Sequence, residues 1–233
     1  MSHIKNSAVD ALLEAASRRT GLSDWGDDDH FRTALGVLLE NIKNEAIKSE
    51  VRLSLSFRLI ENLKNRLHIQ EALKRYPAIL EQPIYNPLYI VSLPRTGTTL
   101  LQRLLAQDAY NRPLLFWEAL MPAPPPEPEQ HENDPRIKKI VESVKYFKQF
   151  DPDLDSIHLL DAKKPEECFF LIDNSLVWQV WPEWAPKSQY AEWISKQDMV
   201  PIYQYYRQQL QILQYRFPPK RWLLKGPTHM NYL

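Results

Sequence analysis

The residues best suited to chemistry form the segment PRTGTT at 94–99, which we call the 94–99 turn. It carries a cation at Arg95, hydroxyls at Thr96, Thr98 and Thr99, and a glycine at Gly97. Backbone N–H groups at the start of a helix have no partner within the helix, and the positive end of the helix dipole favours negative charge. The segment therefore predicts a binding site for an anion such as phosphate.

The flanking residues predict the two elements that position this turn. Leu88 to Leu93 form an apolar run with β-branched residues, typical of a buried parallel strand. Leucines then recur at helical spacing and predict an amphipathic helix: Leu100, Leu101, Leu104 and Leu105. The order strand, tight turn, helix is the usual frame of a phosphate-binding loop.

An ordinary ATP site is the first alternative, and the residues of the turn differ from one. The nucleotide-binding P-loop has the pattern GxxxxGK[ST]. Here Ser92 stands at the position of the first glycine, and Thr98 replaces the lysine that reaches the β- and γ-phosphates. These differences disfavour ATP chemistry, but a P-loop kinase-like enzyme stays open as an alternative.

The string PRTGTTLL resembles the 5′-phosphosulfate-binding loop of the sulfotransferases, and further segments resemble the soluble bacterial members in the same order. These segments are RPLLFWEAL at 112–120, DPR at 134–136, IHLLDAKKPEECFFL at 157–171 and RWLLKGPTHM at 221–230. The resemblance implies a transferase that moves a sulfuryl group from 3′-phosphoadenosine 5′-phosphosulfate (PAPS), its co-substrate, to an acceptor. It implies no metal. It also implies an α/β fold, a P-loop-like parallel sheet flanked by helices.

The predicted strand that ends at Lys225 suggests a second part of the site. Gly226 and Pro227 follow at once, so the ammonium group is expected at the edge of the sheet where α/β sites open. The resemblance implies that Lys225 stabilises charge on the sulfate. In the cytosolic sulfotransferases a histidine follows in a K-T-H pattern, but here GPT separates Lys225 from His229, so His229 is either a base or a packed residue at a helix start.

A base must accept the proton of the acceptor, and a carboxylate is a suitable group. Glu118 is the first choice, since it resembles the catalytic glutamate of the tyrosylprotein and glycan sulfotransferases. Phe116 and Trp117 are expected to desolvate it and raise its pKa. The alternative is a surface or helix-capping glutamate. His158 is a further candidate, with a packed core histidine as its alternative.

Helical periodicity predicts a helical N-terminal region at 1–83. The resemblance implies a sulfotransferase-like α/β domain at 84–233. Helices are predicted around Leu13, around Leu35, from about Lys48 to Leu67, at 135–150, from Pro165 and at 201–215, with a strand at 221–224. In the helix from Pro165, Glu166 and Glu167 are expected to serve the positive end of the dipole, with a catalytic role as the alternative. The proline-rich stretch at 121–128 is predicted to be a connector.

The family's 3′-phosphate site lies in a segment resembling HRDP, and nothing in this sequence matches it. We therefore expect the α/β domain to be C-terminally incomplete. This leaves a third hypothesis open, a non-catalytic helical interaction fragment with a vestigial phosphate loop.

The amino-acid composition limits which partners and which cellular compartment are expected. With 29 basic and 29 acidic residues, the chain has no overall field that would attract nucleic acid or an anionic membrane. No apolar stretch reaches the ~18 residues of a membrane span, and the single cysteine fits a cytoplasmic location. The N-terminal helices are expected to act as scaffold or to form the contacts of a homo-oligomer.

The acceptor is predicted to be a small molecule. Aromatic residues crowd one region: Phe169, Phe170, Trp178, Trp181, Trp184, Tyr190 and Trp193. Most are expected in the core, and some in a pocket for an apolar or phenolic acceptor.

Overall fold

The structure is a computed structural model that describes residues 7–44, 49–150, 160–178 and 189–232. The α-helices are α1 Ser7–Thr20, α2 His30–Asn44, α3 Ser49–Arg75, α4 Thr98–Leu105, α5 Phe116–Leu120, α6 Pro135–Phe150, α7 Phe169–Ile172, α8 Gln189–Ile194 and α9 Val200–Gln214. The strands are β1 Leu88–Ile90, β2 Asn111–Pro113 and β3 Arg221–Lys225. Short 3₁₀ helices lie at Pro77–Ile79, Pro128–Asn133, Asp173–Ser175 and Pro227–Tyr232.

The chain forms two compact units, and the first is helical. It comprises the described residues up to Pro77 together with those of the segment Ile172–Tyr206. The predicted apolar stripes form its core, with Leu13, Leu35 and Leu63 buried. Helix α3 is longer than predicted and continues to Arg75. The predicted domain division after residue 83 stays a prediction.

The second unit, Ala78–Leu171 with Arg207–Leu233, contains the sheet. The three described strands are parallel in the order β1-β3-β2. The central strand β3 is buried from Trp222 to Lys225, as its apolar sequence predicts. Strand β1 ends at Ile90 and is shorter than the predicted run to Leu93. Parallel pairing places the ends of β1 and β3 at the same edge, with Ile90 beside Lys225.

The later helices match the prediction except at Pro165. Helix α6 has the predicted bounds, and α9 is displaced by one residue. The helix expected from Pro165 begins instead at Phe169. Pro165 forms an isolated antiparallel bridge with Leu115, and the Glu166 amide donates to the Leu114 carbonyl oxygen at 2.9 Å. Extended pairing thus replaces the first helical turn.

Helix α4 is amphipathic, but its leucine side is not the buried side. Leu100, Leu101 and Leu104 are exposed, whereas Gln102 is completely buried. The side of α4 that contacts β3 is therefore the polar one. In the described ranges, no helix is both long and apolar enough to cross a membrane.

Candidate active site

The 94–99 turn is built by two residues in the left-handed backbone region. Arg95 has φ 64° and Gly97 has φ 86°. A Cβ atom at Gly97 would meet nothing within 4 Å, so the backbone conformation, and not crowding, favours glycine here. Gly97 is the N-cap of α4, and the first helical bond runs from the Leu101 amide to the Gly97 carbonyl oxygen at 3.1 Å.

Four donors at the start of α4 are available to a ligand. Within the described parts of the chain, the amides of Gly97, Thr98, Thr99 and Leu100 donate to no protein acceptor. The helix carries no side-chain cap that would occupy them. Such amides, with the helix dipole behind them, favour an anion.

The Thr96 hydroxyl stabilises the turn and is not free to donate to an anion. Its Oγ1 donates to the Leu93 carbonyl oxygen at 2.7 Å and lies 2.9 Å from Ser92 Oγ. The hydroxyl proton is used by the protein, so only the backbone of Thr96 remains for an anion. Arg95 is exposed in the turn.

Lys225 joins the turn to the end of β3. Its Nζ donates to Thr99 Oγ1 at 3.0 Å and pairs with Glu167 Oε1 at 2.8 Å, and the residue is only 1% exposed. The Gly226 amide donates to the Ile90 carbonyl oxygen at 3.2 Å, which holds the two strand ends together. Because Thr99 accepts from Lys225, its own hydroxyl proton can be donated to a ligand.

Glu167 lies beside Lys225, although the sequence favoured a different role for it. It was expected to serve a helix dipole, but that helix begins later, and the carboxylate pairs with Lys225. The Cys168 amide donates to the Lys225 carbonyl oxygen at 2.8 Å, so the segment runs alongside the end of β3. The Glu167 side chain is 19% exposed and is therefore partly open to solvent. The PEEC string was the available signal.

Glu118 has a different environment from the one predicted. It is fully buried, and it accepts hydrogen bonds from Arg112 Nη2 at 2.6 Å, His131 Nε2 at 3.0 Å and the Leu115 amide at 3.1 Å. Burial raises the pKa of this carboxyl, but the charge of Arg112 and the other partners outweigh it, so the pKa is lowered. The expectation of a raised pKa is wrong. The surrounding hydrogen bonds favour a structural role over that of a base.

The two candidate histidines have different outcomes. His229 is buried, lies edge-on to the Tyr89 ring at 5.2 Å between centroids, and leaves no room for a Cβ at Gly226. Burial lowers its pKa to about 4, so its ring is neutral near pH 7. His158 lies outside the described residues.

The predicted aromatic cluster is divided between the two units. Trp178 and Tyr190 are buried in the first unit, where the Trp178 amide donates to the Tyr190 hydroxyl at 2.6 Å. Phe170 belongs to the second unit and contacts Phe116 there. Trp181 and Trp184 lie outside the described ranges.

The fold and this site define a class: α/β proteins with a P-loop-like turn beside a buried lysine, at the carboxyl edge of a parallel sheet. The model of the sulfotransferase family matches residues 87–233. The chain therefore belongs to the sulfotransferase family, which confirms the predicted family and fold class.

Two solved structures are similar to this chain. The sulfotransferase STF1 from Mycobacterium tuberculosis H37Rv is 34% identical with a TM-score of 0.81, and the match covers 95% of this chain and 61% of that one. The sulfotransferase STF9 from Mycobacterium avium is 28% identical with a TM-score of 0.84, covering 98% and 59%. The chain thus spans less than two thirds of the length of these relatives. A comparison with curated proteins gives no match.

Proposed function

We propose that this chain transfers a sulfuryl group from PAPS to a hydroxyl of a small apolar or phenolic acceptor. One observation carries the proposal. Lys225 lies within hydrogen-bonding distance of both Thr99 and Glu167, beside a helix start with available amides. A cation, a hydroxyl, a carboxylate and a set of N–H donors are the groups that such a transfer needs at one place.

The donor is bound through the 94–99 turn. The amides from Gly97 to Leu100 and the Thr99 hydroxyl bind oxygens of the 5′-phosphate and the sulfate, and Arg95 adds positive charge. Fixed N–H dipoles favour these anionic groups without reorganising during the reaction. The described residues therefore suit the phosphosulfate end of the donor.

The transfer itself is an in-line displacement at sulfur. The acceptor oxygen forms a bond to sulfur while the bond from sulfur to the bridging 5′-phosphate oxygen breaks, and that oxygen keeps the electron pair. The Lys225 ammonium stabilises the charge that develops there. The Glu167 carboxylate takes the proton of the acceptor hydroxyl. The product is a sulfate ester, and the donor leaves as 3′-phosphoadenosine 5′-phosphate (PAP).

The proposal also covers the acceptor, the cofactor requirement and the compartment. A chain with zero formal net charge offers no broad basic surface for a polyanionic acceptor, which favours a neutral one. The mechanism takes its positive charge from Lys225 and Arg95, and no step calls for a metal. We place the reaction in the cytoplasm, where PAPS is the expected donor.

Binding and transfer test the proposal together. We expect PAP to raise the melting temperature, and radiolabelled PAPS to label hydroxylated acceptors from a panel of phenols and long-chain alcohols. The measurement uses the 233-residue chain and, where the gene encodes one, a longer version. Stabilisation by ATP with Mg²⁺ but not by PAP would instead support the kinase-like alternative.

The role of Glu167 is tested by Glu167→Gln, which keeps the shape and removes the base. We expect turnover to fall by about 100-fold or more. Glu142→Gln, the same change at an exposed position on α6, is the matched control and should leave turnover unchanged. Equal activity of the two variants would exclude Glu167 as the base.

A further inference from the structure

The polar residue inside α4 points to a role beyond packing. Of the residues of α4, Gln102 is the fully buried one, while three leucines of the same helix face outward. We propose that Gln102 is a positioning residue that holds Glu167 against Lys225. The inference rests on the proposed function, in which Glu167 is the base.

The contact that supports this inference joins α4 to the segment carrying the base. Gln102 Nε2 donates to the Glu166 carbonyl oxygen at 3.2 Å, one residue before Glu167. Gln102 lies three residues after Thr99, which accepts from Lys225, and Lys225 in turn pairs with Glu167. These contacts together connect α4, residues 166–167 and the end of β3 in a closed loop.

The amides of the two residues that flank Glu167 bond to groups in a strand or directly after one. The Glu166 amide donates to the Leu114 carbonyl oxygen, and the Cys168 amide donates to the Lys225 carbonyl oxygen. Gln102 supplies an attachment on the helix side. It ties α4, which follows the 94–99 turn, directly to the residue before Glu167.

A glutamine at position 102 is not the side chain that would make the fold most stable. Gln102 Oε1 is buried and has no hydrogen-bond partner among the described residues. A buried acceptor without a partner is unfavourable, and an apolar side chain of similar size would avoid it. The amide group thus serves its donor function, toward Glu166.

Hydrogen exchange tests the positioning without requiring turnover. In Gln102→Met, we expect the amides of Glu167 and Cys168 to exchange about tenfold faster, while those of α9 keep their protection. Gln107→Met, at an exposed glutamine just past the end of α4, is the matched control and should change neither. Unchanged exchange at Glu167 and Cys168, or a uniform increase across the unit, would overturn the proposal.

Kinetics then separate positioning from a merely structural role. We expect Gln102→Met to lower kcat about tenfold with an unchanged KM for PAPS. In a chain that already carries Glu167→Gln, the same change should lower kcat little further. A fully additive double variant would contradict the coupling to Glu167. Wild-type chain that neither binds PAP nor turns over would refute the proposed function instead, and the exchange result would still decide the role of Gln102.

A measurement on the unchanged chain covers the case in which Gln102→Met does not fold. The Gln102 side-chain amide protons should exchange slowly and show a nuclear Overhauser contact to the Glu167 amide. Fast exchange without that contact would refute the attachment.

Discussion

The ammonium nitrogen of Lys225 lies 3.0 Å from the hydroxyl oxygen of Thr99, although the two are 126 positions apart in the chain. Parallel pairing of β1 with β3 sets this distance, because Ile90 and Lys225 are register partners. Glu167 reaches the same lysine from a third segment. The edge of a small sheet thus gathers groups that no local sequence pattern connects.

Replacing Lys225 by methionine removes the buried cation and keeps most of the side-chain volume. We expect Lys225→Met to lower turnover by about 100-fold or more, because one fixed donor to the developing charge is lost. The rate of sulfate transfer from PAPS measures the effect. Lys139→Met, at an exposed position of α6, should keep the wild-type rate. Full activity of Lys225→Met would rule out its assigned role.

Gly97 and Gly21 offer a matched pair for the 94–99 turn. Both have positive φ, 86° and 72°, and a Cβ on either would meet nothing within 4 Å. Each change to alanine should therefore cost about 1 kcal/mol of unfolding free energy. Only Gly97→Ala should weaken PAP binding, since the strain relaxes at the anion donors. Calorimetric titration with PAP distinguishes the two, and equal affinity in both variants would count against the turn as the binding site.

Glu118 is expected to stabilise the fold and not to react. Glu118→Gln leaves Arg112 without its buried counter-charge, so we expect a loss of about 3–5 kcal/mol in urea denaturation at neutral pH. The pKa of Glu118 is lowered in the folded chain, so its contribution is present above the ordinary value of 4.5 and is lost as pH falls through the lower folded value. The difference between wild type and variant should shrink in that acidic range. A folded, stable variant with no turnover would restore Glu118 as a candidate base.

Asp173 predicts the opposite pH dependence for the helical unit. Burial raises its pKa to about 6, despite the ion pair with Arg58. The folded state therefore holds this proton more tightly than the unfolded state, whose value is near 3.8. Stability from this group should fall as pH rises from 3.8 to about 6, by at most about 3 kcal/mol.

Denaturation curves of wild type and Asp173→Asn across this pH range measure that effect. The variant should lack the decrease, whereas Asp10→Asn, at an exposed position in the same unit, should retain it. Parallel curves for wild type and Asp173→Asn would show that this carboxyl does not titrate there.

The outward leucines of α4 predict tolerance to polar change. Leu104 is 60% exposed, so Leu104→Gln should alter the unfolding free energy by no more than about 0.5 kcal/mol. Leu224→Ala, in the buried centre of β3, should cost about 2–5 kcal/mol. Thermal denaturation compares them. A large loss in Leu104→Gln would mean that this face of α4 is buried in solution.

The sequence by itself determined the local elements of the fold. The glycine and hydroxyls of the 94–99 turn, the apolar run of β3 and the leucine stripes of the first unit each predict an element from neighbouring residues, and the resemblance identified the family. These signals are local, because strand and helix periodicity and turn preferences act over a few residues.

Only the tertiary structure decided which groups meet. Glu167 reached Lys225 because pairing at Pro165 delayed the helix, and Glu118 became a buried partner of Arg112. The same structure turned Gln102 inward and the leucines of α4 outward. Hydrogen bonds and ion pairs between distant segments depend on register and burial, and the order of residues along the chain does not encode these locally.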